Sequence, residues 1–233
     1  MLSAIAIVPS APVMVPELAG GAAAELGDLR EAVFTAVAGL PPRWIAVGNG
    51  PSDAVIGPRH TGTFAGYGVD LRVTLSPEVD GEPAALPLCA LITGWVRGAA
   101  RTDASAEVRV YAEADDADAA LGRGRRLRAE IDDAADPIGV LVVADGANTL
   151  TPTAPGGYDP DSVAVQAALV DALAAGDTAA LSRLPETIVG RVPYQVLAGL
   201  MEGVPRSATE LYRGAPYGVG YFAGVLQPKS RRG

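Results

Sequence analysis

Residues 137–144, Pro-Ile-Gly-Val-Leu-Val-Val-Ala, form the strongest strand signal in this chain of 233 residues. Such a nearly unbroken apolar run is typical of a strand in the middle of a parallel sheet, where both faces are covered. The rest of the chain alternates between short β-rich runs and longer helical stretches, a pattern that indicates α/β layers. We therefore expect a central sheet flanked by helices.

Segments before this run support the same interpretation. The N-terminal run 2–8 is predicted as a first strand that ends at Pro9, because proline cannot continue a ladder. Apolar residues at spacings of three and four predict a helix over 25–39, stopped by Pro41 and Pro42, and 44–47 returns as a buried strand. The remaining expected elements are extended or hairpin structure within 57–76, helices over 87–99, 115–135, 161–175, 178–189 and 193–201, and strands over 107–112, 209–212 and 219–226.

No internal repeat, low-complexity linker or charge block indicates a second domain. We expect one three-layer α/β domain over 1–228, with a mostly parallel or mixed sheet, followed by a short basic tail over 229–233.

The composition excludes several function classes. One histidine, His60, and one cysteine, Cys89, cannot build a zinc finger or a disulfide framework within one chain. With 18 basic and 27 acidic residues the formal charge is −9, which disfavours nucleic acid and anionic membrane surfaces as partners. No apolar run approaches the roughly 20 residues of a spanning helix, and no export signal is seen, so we expect a cytoplasmic protein.

Ligands of open α/β sheets gather beyond the carboxyl ends of the strands, so the residues just after each predicted strand are the candidate site residues. These are Ser10 and Glu17 after the first strand, Asn49, Ser52 and Asp53 after the second, Asp145 and Asn148 after the central strand, and Tyr217 near the C-terminus.

Structural interpretations of the same residues stay open. The segment Gly48-Asn49-Gly50 has the composition of a turn, which we favour over an anion-binding loop. Asp145 before Gly146 is equally typical of a capping aspartate. His60 follows a polar loop and is more often exposed than catalytic in such a place. Cys89 lies in an apolar helical run, where a packed, inert thiol is expected.

Three segments together resemble the LigB-like family, the class III extradiol ring-cleavage dioxygenases and the Memo-like proteins. They are Ala-Ile-Val-Pro-Ser-Ala-Pro-Val-Met-Val-Pro-Glu-Leu-Ala-Gly over 6–20, Val-Val-Ala-Asp-Gly-Ala-Asn-Thr-Leu over 142–150 with the Pro-Gly-Gly-Tyr-Asp at 155–159 and Leu-Ala-Ala-Gly-Asp at 173–177, and Ala-Pro-Tyr-Gly-Val-Gly-Tyr-Phe-Ala over 215–223. The resemblance implies the family's α/β fold, and members of that family commonly form dimers, so a homodimer is one expected partner arrangement.

The resemblance also implies a non-haem iron(II) held by two histidines and a carboxylate, and this sequence departs from that set. Ser10 stands where the first histidine is expected, and Gly48-Asn49-Gly50 where the second is expected. The region 188–198, where the third ligand should fall, offers Gly190, Arg191 and Gln195 but no acid, and Asn148 replaces the acid/base histidine. Hydroxyl and amide groups are poor ligands for iron(II), so we expect no metal and no cofactor.

Three functions follow as expectations. The first is a non-catalytic or divergent LigB-like protein whose pocket at the strand ends binds a small aromatic or polar molecule, or which acts through protein association. The alternative is a metal-independent enzyme with His60 or Asp145 as its base. Retained dioxygenase activity on a catecholic substrate has the least support.

Overall fold

A computed structural model describes residues 1–79, 81–113, 116–204 and 206–228. The strands of the described residues are β1 (Leu2–Val8), β2 (Arg43–Gly50), β3 (Ala54–Ile56), β4 (Thr61–Thr63), β5 (Arg72–Thr74), β6 (Ser105–Ala112), β7 (Ile138–Val143), β8 (Arg206–Gly214) and β9 (Tyr221–Pro228). The α-helices are α1 (Pro16–Ala19), α2 (Gly27–Ala38), α3 (Leu88–Ala100), α4 (Ala117–Asp133), α5 (Asp161–Ala175), α6 (Thr178–Leu181) and α7 (Arg191–Leu200).

The main sheet has the order β3-β6-β2-β7-β1-β9-β8. Strands β6, β2, β7 and β1 run parallel in its centre, whereas β9 is antiparallel to β1 and β8 to β9. Every residue of β7 is buried, as its apolar sequence predicts for a strand covered on both faces. The predicted mixed α/β sheet is confirmed.

Helices cover both faces of the sheet. One buried cluster joins α2 and α3 to the sheet through residues such as Val33 and Trp95, and the other joins α4, α5 and α7 through residues such as Leu127 and Leu173. Helices α4 and α7 approach closely at two glycines. A Cβ on Gly124 would lie 2.1 Å from the carbonyl oxygen of Val196, so a side chain there is excluded by the neighbouring backbone.

Some predicted boundaries were wrong. The predicted helix over 178–189 stops at Leu181, and Pro185 follows shortly after, which disfavours helical backbone before it. Ile188 instead forms an isolated bridge with Ala147. The stretch 57–76 contains the two-stranded sheet of β4 and β5, separated by a 3₁₀ turn over Phe64–Tyr67. The predicted basic tail over 229–233 and the predicted helix start at Asp115 lie outside the described residues.

No helix in the described part of the chain is both long and apolar enough to cross a membrane.

Candidate functional site

The candidate site begins where β1 and β7 end side by side. Their parallel register pairs Val8 with Val143, and the chain continues from each strand for two residues to reach Ser10 and Asp145. The backbone N–H of Ser10 donates a hydrogen bond to Oδ1 of Asp145 at 2.8 Å. Adjacent parallel strands thus bring together two residues that are far apart in sequence, at the edge where open α/β sheets bind ligands.

Asp145 has a carboxyl group that the protein satisfies only in part. Its Oδ1 accepts the Ser10 bond, and Oδ2 accepts no hydrogen bond from the described residues. Asp145 is only half-buried, and solvent reaches Oδ2. Burial raises the pKa of Asp145 to about 7, and the Ser10 hydrogen bond opposes that rise.

A pocket of about 530 Å³ opens over this carboxyl group. Among the described residues that line it, Asp145 is the only acidic side chain, and there is no arginine, lysine or histidine. The other polar groups come from Ser10, Asn148 and three tyrosines. The apolar part of the wall includes Val13, Leu18, Leu88, Val189 and Val219.

A glycine-rich segment before β9 builds one wall of the pocket. The Gly146 N–H donates to the carbonyl oxygen of Gly220 at 2.7 Å, and the Gly220 N–H donates to that of Ala147 at 2.8 Å. The side chain of Gln166 fills the space beside both glycines, where a Cβ would lie 2.0 Å and 2.2 Å from its amide. Its Oε1 accepts the Ala147 N–H at 2.9 Å, so Gln166 fixes the loop after β7 against the segment before β9.

Three tyrosines line the pocket, and a fourth, buried tyrosine is hydrogen-bonded to the strand end beside it. Tyr217 donates its hydroxyl hydrogen bond to Oε2 of Glu25 at 3.0 Å, which connects the segment before β9 to the residues before α2. Tyr194 on α7 is fully buried and donates to the carbonyl oxygen of Ala144 at 2.9 Å. Burial raises the pKa of Tyr221, and the nearby Asp145 carboxylate raises it further. Tyr67 is the third lining tyrosine.

The structure brings together four residues that the sequence analysis selected. Ser10, Asp145, Asn148 and Tyr217 all line the pocket at the ends of β1 and β7. Asn148 is held in its loop, because its backbone carbonyl oxygen accepts the Gly156 N–H at 3.0 Å.

The other selected residues lie outside this pocket, which corrects the predicted lining set. Glu17 is exposed on α1, and Ser52 is exposed in the turn after β2. Asp53 accepts the Ala112 N–H at 2.9 Å and forms an ion pair with Arg123 at 2.7 Å in a separate groove. His60 is exposed, with its Nδ1 3.0 Å from the carbonyl oxygen of Gly57. All four of these residues are exposed at the surface.

The predicted turn at Gly48-Asn49-Gly50 was wrong. These residues are the end of β2 and pair with β6 as far as Ala112. A Cβ on Gly48 would lie 2.3 Å from Cβ of Cys89, so this glycine allows α3 to pack directly on the strand. Asn49 donates from Nδ2 to the carbonyl oxygen of Val189 at 3.3 Å, and it therefore holds the pocket wall without lining the pocket.

Cys89 is buried beneath this strand, and burial raises the pKa of its thiol to about 12. A thiol in that state is protonated at neutral pH and is a poor nucleophile.

Sequence reasoning missed Tyr221, Tyr67 and the apolar wall of the pocket. Tyr221 comes level with Ser10 when the antiparallel register of Ile7 with Gly224 is continued, and that register is visible only in the folded sheet. Tyr67 and Leu88 approach from a 3₁₀ turn and from the first residue of α3. Their position depends on how the layers pack, and no local motif indicates it.

The side chains of the pocket do not fit the non-haem iron that the family resemblance implies. Among the described residues, no three histidine, cysteine, aspartate or glutamate side chains are grouped so that they could hold a metal ion. The pocket supplies one carboxyl group together with hydroxyl and amide groups, and iron(II) sites of this type need imidazole ligands.

Comparisons with known proteins identify the fold alone. No protein-family model matches the chain, and no curated protein matches it. Among solved structures, the chain is similar to the crystal structure of uncharacterized protein JW3007 from Escherichia coli K12. The two share 12% sequence identity with a TM-score of 0.56, over 97% of this chain and 99% of that one. The shared architecture therefore extends over nearly the whole of both chains.

Proposed function

We propose that this protein is a LigB-like scaffold without the iron ligand set, and that it binds a small amphipathic molecule in the pocket at the ends of β1 and β7. One observation carries the proposal. The Asp145 carboxyl group keeps one oxygen free of protein partners inside a largely apolar pocket. A partly desolvated polar group is costly to leave unpaired, so such groups are commonly those that orient a ligand.

The dimensions of the pocket support this proposal. Its volume of about 530 Å³ lies within the roughly 300–1,000 Å³ that is typical of small-molecule sites. The apolar side chains offer burial for a hydrocarbon or aromatic body, and Ser10, Asn148 and the lining tyrosines offer hydrogen-bonding groups.

Ligand-observed NMR with a panel of phenols, catechols, aromatic alcohols and aromatic amines tests the proposal. We expect several of these probes to show saturation transfer from the wild-type protein and to raise its melting temperature. The Val189→Trp variant fills part of the pocket from an exposed position, so it should fold and lose most of this binding. Val55, which is exposed on β3 outside the pocket, provides the matched control as Val55→Trp.

Equal binding to both tryptophan variants would contradict the assignment of this pocket. Metal analysis of the purified protein tests the second part of the proposal. Stoichiometric iron that survives chelation, together with catechol cleavage, would overturn it.

A second candidate function is acid–base catalysis without a metal, with Asp145 as the base. The observation that favours it is a carboxyl group in the pocket with one oxygen free of protein partners. Burial raises the pKa of this group to about 7, so that it could both accept and release a proton near neutral pH. Incubation of bound carbonyl compounds in D₂O tests this function. We expect deuterium to enter the carbon next to the carbonyl group with wild-type protein and not with Asp145→Asn. His60 does not enter this candidate, because it lies outside the pocket.

A further inference from the structure

The electrostatic character of the pocket restricts the ligand that it can hold. Asp145 is the only carboxyl group among the described lining residues, and none of those residues is basic. An anionic ligand would meet no positive side chain there and would approach a carboxylate. A cationic ligand would gain a charge-assisted hydrogen bond to Oδ2 and the electrostatic attraction of aromatic faces.

We propose that the ligand carries a protonated amine that docks on Asp145, attached to an apolar or aromatic body that fills the rest of the pocket. This inference rests on the proposed function, because it names the ligand class of the same site. Of the four acceptor positions on a carboxylate, the protein donates to Oδ1 alone, and Oδ2 is reached by solvent.

The groups around Asp145 are compatible with the binding of an ammonium group. Ser10 donates from its backbone, so its hydrogen bond persists whichever ligand is bound. Tyr194 on α7 and Tyr221 on β9 are the titratable neighbours that interact with Asp145, and burial raises the pKa of both. Tyr67 and Tyr217, which line the same pocket, also have raised pKa values, with burial the first cause in each.

These four phenols therefore stay neutral while Asp145 ionises near neutral pH. Above that range the pocket presents one negative charge, and an ammonium group would neutralise it. Binding of the amine should accordingly strengthen from about pH 5 to about pH 8, as Asp145 ionises and the amine stays protonated.

Three probes of similar size and different charge test the inference. They are 2-phenylethylamine as the cation, 2-phenylethanol as the neutral analogue and 3-phenylpropionate as the anion, each titrated calorimetrically into the full chain at about pH 8. We expect the amine to bind about tenfold or more tightly than the alcohol, and the carboxylate to bind most weakly.

Two variants locate the effect. Asp145→Asn keeps an oxygen that can accept the Ser10 N–H, and it should bring the affinity of the amine down to that of the alcohol. Asp53→Asn removes an equivalent carboxylate from the separate groove beside Arg123, and it should leave all three affinities unchanged.

The outcomes separate this inference from the proposed function. If the alcohol binds as tightly as the amine, or if Asp145→Asn leaves their ratio unchanged, the amine inference fails and the pocket remains a ligand site. If the carboxylate binds most tightly, the charge argument is overturned. If neither these probes nor the wider panel bind to wild-type protein, the proposed function fails together with the inference.

Discussion

Two aspartates that each follow a strand of the parallel core differ in how fully their carboxyl groups are paired. Asp53 comes shortly after β2, lies on the surface and is satisfied twice, by the Ala112 N–H and by Arg123. Asp145 comes shortly after β7, receives one hydrogen bond from Ser10 and stays open towards a pocket. The carboxylate of Asp53 connects neighbouring elements, whereas one oxygen of Asp145 has no partner among the described residues.

The two strand ends that carry these aspartates also differ in how they are packed. The end of β2 is closed by packing, because Gly48 lets Cys89 of α3 rest directly on the strand. The end of β7 stays open to the pocket, because the residues after Asp145 pair with the segment before β9 and the half-buried Asp145 carboxyl group lines the pocket. Both strand ends are followed by an aspartate, so the residue type does not distinguish them. The packing of the neighbouring layers does.

Gly48→Ala is expected to give the largest effect, because it disturbs the closed end. The new Cβ would lie 2.3 Å from Cβ of Cys89, and neither atom can move without shifting β2 or α3. We expect the free energy of unfolding to fall by about 3 kcal/mol, as for other overpacked cores. Urea denaturation measures this loss.

Gly57→Ala is the control for this substitution, since a Cβ there meets nothing within 4 Å. Equal stability of the two variants would show that the end of β2 is not closed by this contact.

Asp145→Asn should change stability in a pH-dependent manner. Because burial raises the pKa of Asp145 to about 7, the folded state prefers the protonated carboxyl group. The wild-type protein should therefore lose stability as the pH rises from about 4 to about 7, and the variant, which cannot ionise, should not. We expect the variant to be more stable by about 2 kcal/mol at about pH 8, after allowance for the water that reaches Oδ2, and by almost nothing at about pH 4.

Urea unfolding of both proteins across that pH range measures the difference. A variant that is less stable than wild type at about pH 8 would show that the ionised carboxylate contributes to the fold, as Asp53 does.

Gln166→Leu should weaken the wall that keeps the open end in shape. The Ala147 N–H would lose its acceptor, because the apolar leucine, although similar in size to glutamine, offers none. We expect a loss of about 1 kcal/mol in unfolding free energy together with weaker ligand binding. Gln227→Leu, an exposed glutamine near the end of β9, should change neither quantity. Full ligand affinity in Gln166→Leu would mean that the open end does not depend on this support.

Much of the fold and part of the site follow from the sequence, for identifiable reasons. The apolar run of β7 and the spacing of apolar residues in α2 are local patterns, so the sheet and its flanking helices could be predicted. Gly48 could not be interpreted correctly, because a glycine in a turn and a glycine under a helix have the same local sequence. Choosing between them requires the position of Cys89, which is set by tertiary packing.

The same limit applies to the two aspartates. Both follow a predicted strand, and both were selected as pocket candidates for that reason. The partner of Asp53 is Arg123, in a helix far along the chain, and the register of β1 with β7 is what places Ser10 against Asp145. Neither relation can be obtained from the order of residues alone.

Asp53→Asn should have the smallest effect. The asparagine oxygen can still accept the Ala112 N–H, so only the charge pair with Arg123 is lost. Arg123 also lies over the ring of Tyr111, with 5.0 Å from its guanidinium carbon to the ring centroid, and this contact does not need Asp53. Exposed ion pairs contribute little, so we expect a loss below about 0.5 kcal/mol that shrinks further as salt is added. Urea unfolding at low and high salt measures it. A loss as large as that expected for Gly48→Ala would mean that Asp53 contributes as much to the free energy of unfolding as the packing at the end of β2. The contrast between the two aspartates could then not be explained by their partners.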